Sequence, residues 1–366
     1  MKVLFFTQSD EICAASRTRV YQYLPFLRSR GIACKVVPMA TGLIYKGAFV
    51  LPESKIKKSF YIFFSLILNY IKSLQILALA RYYDVIFIQR VLIPKVMARL
   101  LVKINDNIIF DFDDAIYAIE SPRTTLINRL RVNRNKKYLP LMLSISKAAI
   151  VENEYNKKYA EQFLKNVYII TGPLDTQRYR PNDEDLPKES KGDIVIGWIG
   201  SPTTTVYLRS LKDVFMALSR KHKIILEFIG AASFEIPEVK MVKKRWHLNT
   251  EVSDLQGFDI GIMPLPDNDW TKGKGGFKLL QYLAMGIPAV TTPVGVNSEI
   301  VQNGINGYLV NSEEEWIERL SLLIEDSELR QRMGRAGRKR IEEKFSIAAN
   351  VPGFIEILKN AQTRGG

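Results

Sequence analysis

Cysteine and histidine are nearly missing from this chain of 366 residues: each occurs twice, as Cys13 and Cys34 and as His222 and His247. Two histidines are too few for a zinc cluster, and two cysteines do not make the disulfide framework of a small secreted domain. The chain opens on the strand-like KVLFF with no signal-peptide pattern. Scarce cysteine and that opening lead us to expect a reducing, cytoplasmic setting in which both thiols stay unpaired. Helix-turn-helix, zinc-finger and RNA-recognition signatures are missing too, which leaves nucleic acid an unlikely partner. No internal repeat or low-complexity tract occurs. Acidic residues are also in short supply, 38 against 52 basic ones, for a net charge of +14. Such an excess favours anionic partners, phosphates or acidic membrane surfaces among them.

Hydrophobic residues make up 47% and charged residues 25%, the balance of a chain that buries real cores. At this length two domains are expected. The segment Lys55–Ala80 carries FYIFFSLILNYI between lysines, too short and interrupted to span a bilayer. Its apolar residues occupy most faces of a helix, which favours a buried helix of the first domain over a basic-flanked helix lying on a membrane.

Strand-like runs alternate with helical patterns: KVLFF, a helix around Tyr21–Arg30, CKVVP, DVIFIQ, NIIFDF and AAIVEN. This alternation predicts a parallel sheet covered by helices. It breaks at GPLDTQRYRPNDEDLPKESKGD and restarts with IVIGWIG, IILEFIG, DIGIMPL, the helix GFKLLQYLAMG and PAVTTP, a second doubly wound sheet. The expected domains are residues 1–175 and 176–346, with a terminal helix over about 347–366 returning to the first.

Ligands of open α/β sheets bind beyond the carboxyl ends of the strands, which singles out the loops. Gly200, Ser201 at a predicted N-cap and Pro202 at the first helical position make an anion seat of backbone amides, with Thr203, Thr204 and Thr205 as added donors. A second seat lies in NDWTKGKGGFKLLQ, where Gly273, Gly275 and Gly276 free the backbone amid Lys272, Lys274 and Lys278. An ordinary capped helix and a solvated basic loop are the plain alternatives. In the first domain Arg17 and Arg19 are spaced to bring two guanidinium groups to one anion. Asp111, Asp113 and Asp114 crowd a strand end, where three carboxylates need a partner or a task, such as binding acceptor hydroxyls or taking a proton.

The segment GFKLLQYLAMGIPAVTTPVGVNSEIVQNGINGYLV resembles the donor-binding part of glycosyltransferase family 4, a retaining family of GT-B fold. IGWIGSPTTTVYL, FDIGIMPLPDNDW, GPLDTQRYRP and MGRAGRKRIEEKFS resemble it in the same order, about half the chain in all. The resemblance implies an α/β protein with two Rossmann-like doubly wound domains facing across a cleft. It implies donor-binding roles for Gly200, Ser201, Thr203, Lys274, Gly275, Gly276, Phe277, Lys278, Gln281 and Glu299, with Trp246 where the family forms its base pocket. Trp246 as a core residue and Glu299 as a loop cap remain alternatives. The family carries two glutamates eight apart, the second bound to the donor ribose. Here Gly273 and Gln281 stand in those places, and Gln281 keeps an amide oxygen as acceptor while Gly273 has no side chain. Arg17, Arg19 and Asp111 fall on the acceptor or phosphate side, and Asp113, Asp114 and Lys278 are the catalytic candidates.

The implied activity is retaining transfer from a nucleotide sugar to a glycan, lipid-linked or small-molecule acceptor, with no metal and no resident cofactor. The implied place is cytoplasmic, at the inner membrane face if an anionic membrane surface is a partner. A nucleotide-sugar epimerase of the same fold and a non-catalytic sugar-nucleotide-binding protein are the rival readings.

Overall fold

A computed structural model describes residues 1–40, 55–119, 126–181 and 192–363. The chain divides into two compact units, one of residues 1–173, 273–275 and 350–366, the other of residues 174–272 and 276–349. Residues 182–191 of the expected linker lie outside the described residues.

The first unit is a six-stranded parallel sheet of β1 (Lys2–Ser9), β2 (Ala33–Ala40), β3 (Val85–Gln89), β4 (Ile108–Phe112), β5 (Ala148–Val151) and β6 (Val167–Ile169). Its order is β2-β1-β3-β4-β5-β6. Val3, Leu4, Phe5 and Phe6 are all buried, the continuous apolar run of a strand covered on both faces. The helices are α1 (Ala14–Arg19), α2 (Leu24–Ser29), α3 (Lys55–Ala80), α4 (Lys95–Ile104), α5 (Leu126–Ser144) and α6 (Glu154–Ala160). The expected helix around Tyr21–Arg30 is a 3-10 turn at Tyr21–Tyr23 followed by α2, with Pro25 in its first turn. Strand order reverses between β1 and β3, so the loops after Ser9 and Gln89 form this unit's switch point.

α3 departs from the expected buried helix. The side it turns to the protein carries Asn69, Ser73, Ile76 and Ala80, while Phe63, Ile67, Tyr70, Ile71 and Leu74 are exposed. The sequence showed apolar residues all round, and only the docking of the helix decides which of them meet water.

The second unit repeats the plan with β7 (Ile194–Ile199), β8 (Ile224–Ile229), β9 (Met241–Lys244), β10 (Ile260–Met263), β11 (Ala289–Thr291) and β12 (Gly307–Leu309), ordered β12-β11-β10-β7-β8-β9. Its helices are α7 (Lys212–Lys221), α8 (Glu251–Leu255), α9 (Asp269–Lys272), α10 (Phe277–Ala284), α11 (Asn297–Ile300), α12 (Glu313–Glu325) and α13 (Ser327–Arg340). The last helix, α14 (Ile347–Thr363), begins in this unit, and its residues from Asn350 belong to the first, where Phe354 stacks on Tyr23 with centroids 4.2 Å apart.

Instead of the α-helix expected directly after Gly200, Pro202–Leu211 is a 3-10 helix, and α7 starts only at Lys212. Thr203, Thr204, Thr205 and Val206 are four β-branched residues in a row, which weakens α-helix there. Gly261 sets the height of α10, because a Cβ there would come within 2.4 Å of the Tyr282 ring. Tyr282 Oη in turn accepts from the Ile199 amide at 3.1 Å, which pins α10 against the end of β7. Both units are thus Rossmann-like, two parallel sheets each flanked by helices.

Candidate functional site

In the second unit the chain reverses strand order between β7 and β10, so the loop after β7 is a natural ligand seat. Gly230 follows β8 at φ 75°, and a Cβ on it would stand 2.3 Å from the Gly200 carbonyl oxygen. The two loops touch backbone to backbone, an approach that only glycine permits. A Cβ on Gly200 would lie 3.0 Å from Cε of Lys278, whose Nζ sits 5.3 Å from the Trp198 ring centroid. The indole face holds that ammonium beside the Gly200 backbone. The Gly200 loop and the α10 lysine that the sequence singled out separately therefore meet.

The seat after Gly200 differs from the expected one in its donors. Ser201 makes no side-chain cap, and its Oγ lies 3.0 Å from Thr203 Oγ1. Both residues are exposed. Thr204 Oγ1 donates to the Ser201 carbonyl at 3.0 Å, and Thr205 Oγ1 accepts from the Ala232 amide at 2.8 Å. Ser201 and Thr203 are left as the hydroxyls a ligand could reach, beside backbone amides and without the long aligned dipole of an α-helix.

Three residues along α10 from Lys278, Gln281 is buried and donates its Nε2 to Oε1 of Glu251. The same oxygen accepts from Tyr179 Oη at 2.8 Å, and Oε2 accepts from Trp246 Nε1 at 3.1 Å. Glu251 is a buried carboxylate held by three neutral donors from three segments. With Nε2 committed, the group Gln281 can offer a ligand is its amide oxygen. Trp246 is half-buried, and its Cβ lies 3.3 Å from a Cβ built on Gly230, which puts it beside the two glycine turns. Sequence reasoning passed over Glu251; an acid opening α8 five residues after Trp246 was its only local signal.

Phe277 is half-buried and meets the Tyr179 ring edge-on at 6.5 Å, and Gly276 begins α10 at φ 68°. Glu299 is exposed on α11, where its carbonyl oxygen accepts from Arg340. Gly273, Lys274 and Gly275, expected with the rest of the second domain, fall in the first unit. Asn156 Nδ2 donates to the Gly273 carbonyl at 2.9 Å and Asn153 Nδ2 to that of Lys274 at 3.0 Å. A Cβ at Gly273 would come within 2.3 Å of that of Ala115, so the position that carries a glutamate in the resembling family has no room here for a side chain.

In the first unit the carboxyl ends of the strands hold charge. Arg19 is buried, with Nε 3.0 and 3.2 Å from the two Asp111 oxygens, Nη2 on Asp111 as well, and Nη1 3.0 Å from Glu152 Oε1. Glu152 Oε2 accepts from the Gly172 amide at 2.7 Å. Burial pushes the Glu152 carboxyl up to about 8, with Arg19 opposing, and the Asp111 carboxyl up to about 6 for the same reasons. One guanidinium cannot fully offset two buried carboxylates, so the acid less tightly paired keeps its proton longest. Burial also works against the charge of Arg19, but Asp111 and Glu152 outweigh it and raise its pKa.

Arg17 and Arg19 therefore do not open onto a shared anion seat as their spacing suggested. Arg17 donates to the carbonyls of Glu11 at 3.0 Å and Ile12 at 3.4 Å, bracing its own loop, and Arg19 is engaged by carboxylates. The partner that the crowded aspartates required is Arg90, which takes φ 58° after β3 and reaches Asp113 at 2.7 Å and Asp114 at 3.3 Å. Burial raises the Asp113 pKa, with Arg90 opposing it. Gln89 beside it is buried; its Oε1 accepts from the Gln8 amide and Ser16 Oγ, while Nε2 has no partner. Among the described residues no three His, Cys, Asp or Glu side chains are grouped to hold a metal ion.

Residues 260–340 match the family described as Glycosyl transferases group 1. CapM of Staphylococcus aureus, a capsular polysaccharide biosynthesis glycosyltransferase, is 26% identical over 45% of this chain. The match spans 45% of that relative's length, so the chain covers about half of it. A glycosyltransferase from Rickettsia africae superposes with a TM-score of 0.68 at 13% identity, covering 100% of this chain and 99% of that one. Anabaena HepE in complex with UDP gives 0.62 at 16% identity, covering 98% and 100%. At such identities the structures speak for the fold, and the matched segment contains Lys278 and Gln281. Residues 260–340 are thus similar to the group 1 glycosyl transferases, and the chain has the two-Rossmann-unit GT-B-type fold of the superposed glycosyltransferase structures.

Proposed function

We propose that this protein is a glycosyltransferase that binds a nucleotide sugar in its second unit and transfers the sugar to a glycan, lipid-linked or small-molecule acceptor. The observation that carries the reading is the meeting of the Gly200 backbone with Lys278 at the switch point of the second sheet. The diphosphate sits on the amides after Gly200 and on the hydroxyls of Ser201 and Thr203, with Lys278 as counter-charge. Gln281 Oε1 accepts a ribose hydroxyl, and Trp246 lies against the base. Gly276, Phe277 and Glu299 complete the donor side within that unit. HepE is described with UDP and with UDP-glucose, which makes UDP-glucose the first donor to try.

In this reading the protein supplies charge and position. Lys278 and the amides stabilise the charge that grows on the leaving diphosphate, most strongly in the transition state. The acceptor hydroxyl attacks the anomeric carbon on the face the diphosphate leaves, so the sugar configuration is retained without a protein nucleophile. Asp113 and Asp114 take up acceptor hydroxyls, and Arg90 holds the two carboxylates in place.

The reading is tested by thermal shift and calorimetry with UDP-glucose, UDP-N-acetylglucosamine and GDP-mannose. A bound donor at about 100 times its Kd stabilises the native state by about 2.7 kcal/mol. Lys278→Ala is expected to raise the donor Kd at least about tenfold, as loss of charge-assisted bonds implies. A variant that binds as tightly as the parent sinks the proposal. Donor incubated alone keeps its sugar unchanged if the protein is a transferase and loses it to an epimer if the rival reading holds.

A further inference from the structure

We propose that the outer face of α3 and α4 is an interfacial surface that lies on an anionic lipid bilayer. The inference goes beyond the transferase reading and does not depend on it.

The first observation is that α3 is docked with two polar residues, Asn69 and Ser73, inward. Asn69 and Ser73 are buried, with Asn69 Nδ2 donating to the Leu92 carbonyl at 3.3 Å and Ser73 Oγ to the Asn69 carbonyl at 2.6 Å. Phe63, Ile67, Tyr70, Ile71 and Leu74 follow each other at helical spacing on the exposed side, Phe63 at 63% and Tyr70 at 56% exposure. A helix that only served the core would present those side chains to the sheet. α4 packs beside α3 and adds Val96, Leu100 and Ile104, again at helical spacing and all exposed. Contiguous exposed apolar surface of this kind marks an interaction site.

The second observation is charge of one sign. Lys95, Arg99 and Lys103 are exposed among the apolar residues of α4, and Lys72 is half-exposed on α3. α3, α4 and the neighbouring α5 contain twelve lysines and arginines and no aspartate or glutamate. A second copy of the chain, paired through the same face by a two-fold axis, would set these cations against one another. An anionic bilayer accepts both features, since apolar and aromatic side chains enter the acyl boundary while lysine and arginine reach the headgroups. Among the described residues no helix is long and apolar enough to cross a membrane, which leaves binding in the interfacial plane.

The experiment is flotation of the full chain with vesicles of phosphatidylcholine alone and of phosphatidylcholine with phosphatidylglycerol, at low and high salt. The parent protein is expected to float with the anionic vesicles and to release as salt rises. Phe63→Ser/Tyr70→Ser/Leu74→Ser and, separately, Lys95→Glu/Arg99→Glu should each weaken that binding at least about tenfold, from lost apolar burial and lost headgroup attraction. Thermal melts of both variants should match the parent, because every substituted side chain is exposed. A parent protein that ignores anionic vesicles overturns the proposal, as does unchanged binding by either variant. So does sedimentation velocity showing a dimer that the triple variant dissolves, which would give the face to a second copy.

Discussion

The carboxyl ends of the two sheets are built on opposite principles. In the first unit they are filled by side-chain charge: Arg19 between Asp111 and Glu152, and Arg90 against Asp113 and Asp114. In the second they are emptied of side chains where Gly200 and Gly230 touch, and the buried carboxylate of Glu251 is met by neutral donors. Charge paired internally has little left for a ligand and a large cost if one partner is lost. Close backbone approach with a single ammonium leaves amides for an anion. The contrast teaches that Arg19, Asp111 and Glu152 serve mainly to hold the first unit's loops, while the second unit leaves backbone amides open for the phosphate seat proposed above.

The contrast breaks most visibly at Arg19. Arg19→Ala leaves Asp111 and Glu152 buried without their counter-charge and should cost about 3–5 kcal/mol in denaturant unfolding. A loss under about 1 kcal/mol would mean the network is not what holds the first unit. Next comes Gly230→Ala, which combines a left-handed backbone with a Cβ driven against the Gly200 carbonyl. It should destabilise by about 2–3 kcal/mol, measured in the same way, and weaken nucleotide-sugar binding in calorimetry. Glu251→Ala frees Tyr179, Trp246 and Gln281 from a common anchor and should cost about 1–3 kcal/mol. Its sharper readout is donor affinity, which drops if Glu251 sets the Gln281 amide and stays constant if Glu251 only braces the core.

The last test is a pH slope. Glu152 titrates at about 8 in the folded chain against an ordinary 4.5, so between those values the folded state binds more protons than the unfolded one. Stability therefore falls as pH rises through that window, by at most about 1.4 kcal/mol per pH unit for one group. Glu152→Gln should flatten this slope in melts taken from pH 5 to pH 8. An unchanged slope would move the proton to another group, with Asp111 next in line.

Much of the architecture was legible because periodicity is local. KVLFF, NIIFDF, IVIGWIG and DIGIMPL read as buried strands and are strands, since continuous apolar runs between turns have few other uses. The short strands Val167–Ile169 and Gly307–Leu309 carried no such run, being three residues each. Lys278 stood out through the glycines and lysines around it, and Gln281 only through the resemblance of its segment to a family's donor-binding part. Glu152 and Glu251 did not, because their partners lie far along the chain: Arg19 is 133 residues from Glu152, and Tyr179 is 72 from Glu251. α3 defeated the reading for a different reason, since a helix apolar on every face does not say which face is turned outward.

What the sequence determined by itself is the alternation of strand and helix, the break between two sheets and the glycine-bearing turns, all set by the chemistry of neighbouring residues. Tertiary structure alone decided which arginine meets which acid, that Lys278 comes to rest beside Gly200, and that α3 hides Asn69 and Ser73 while baring Phe63 and Tyr70. Those outcomes depend on distances between segments far apart in the chain, and local propensity carries no record of such distances.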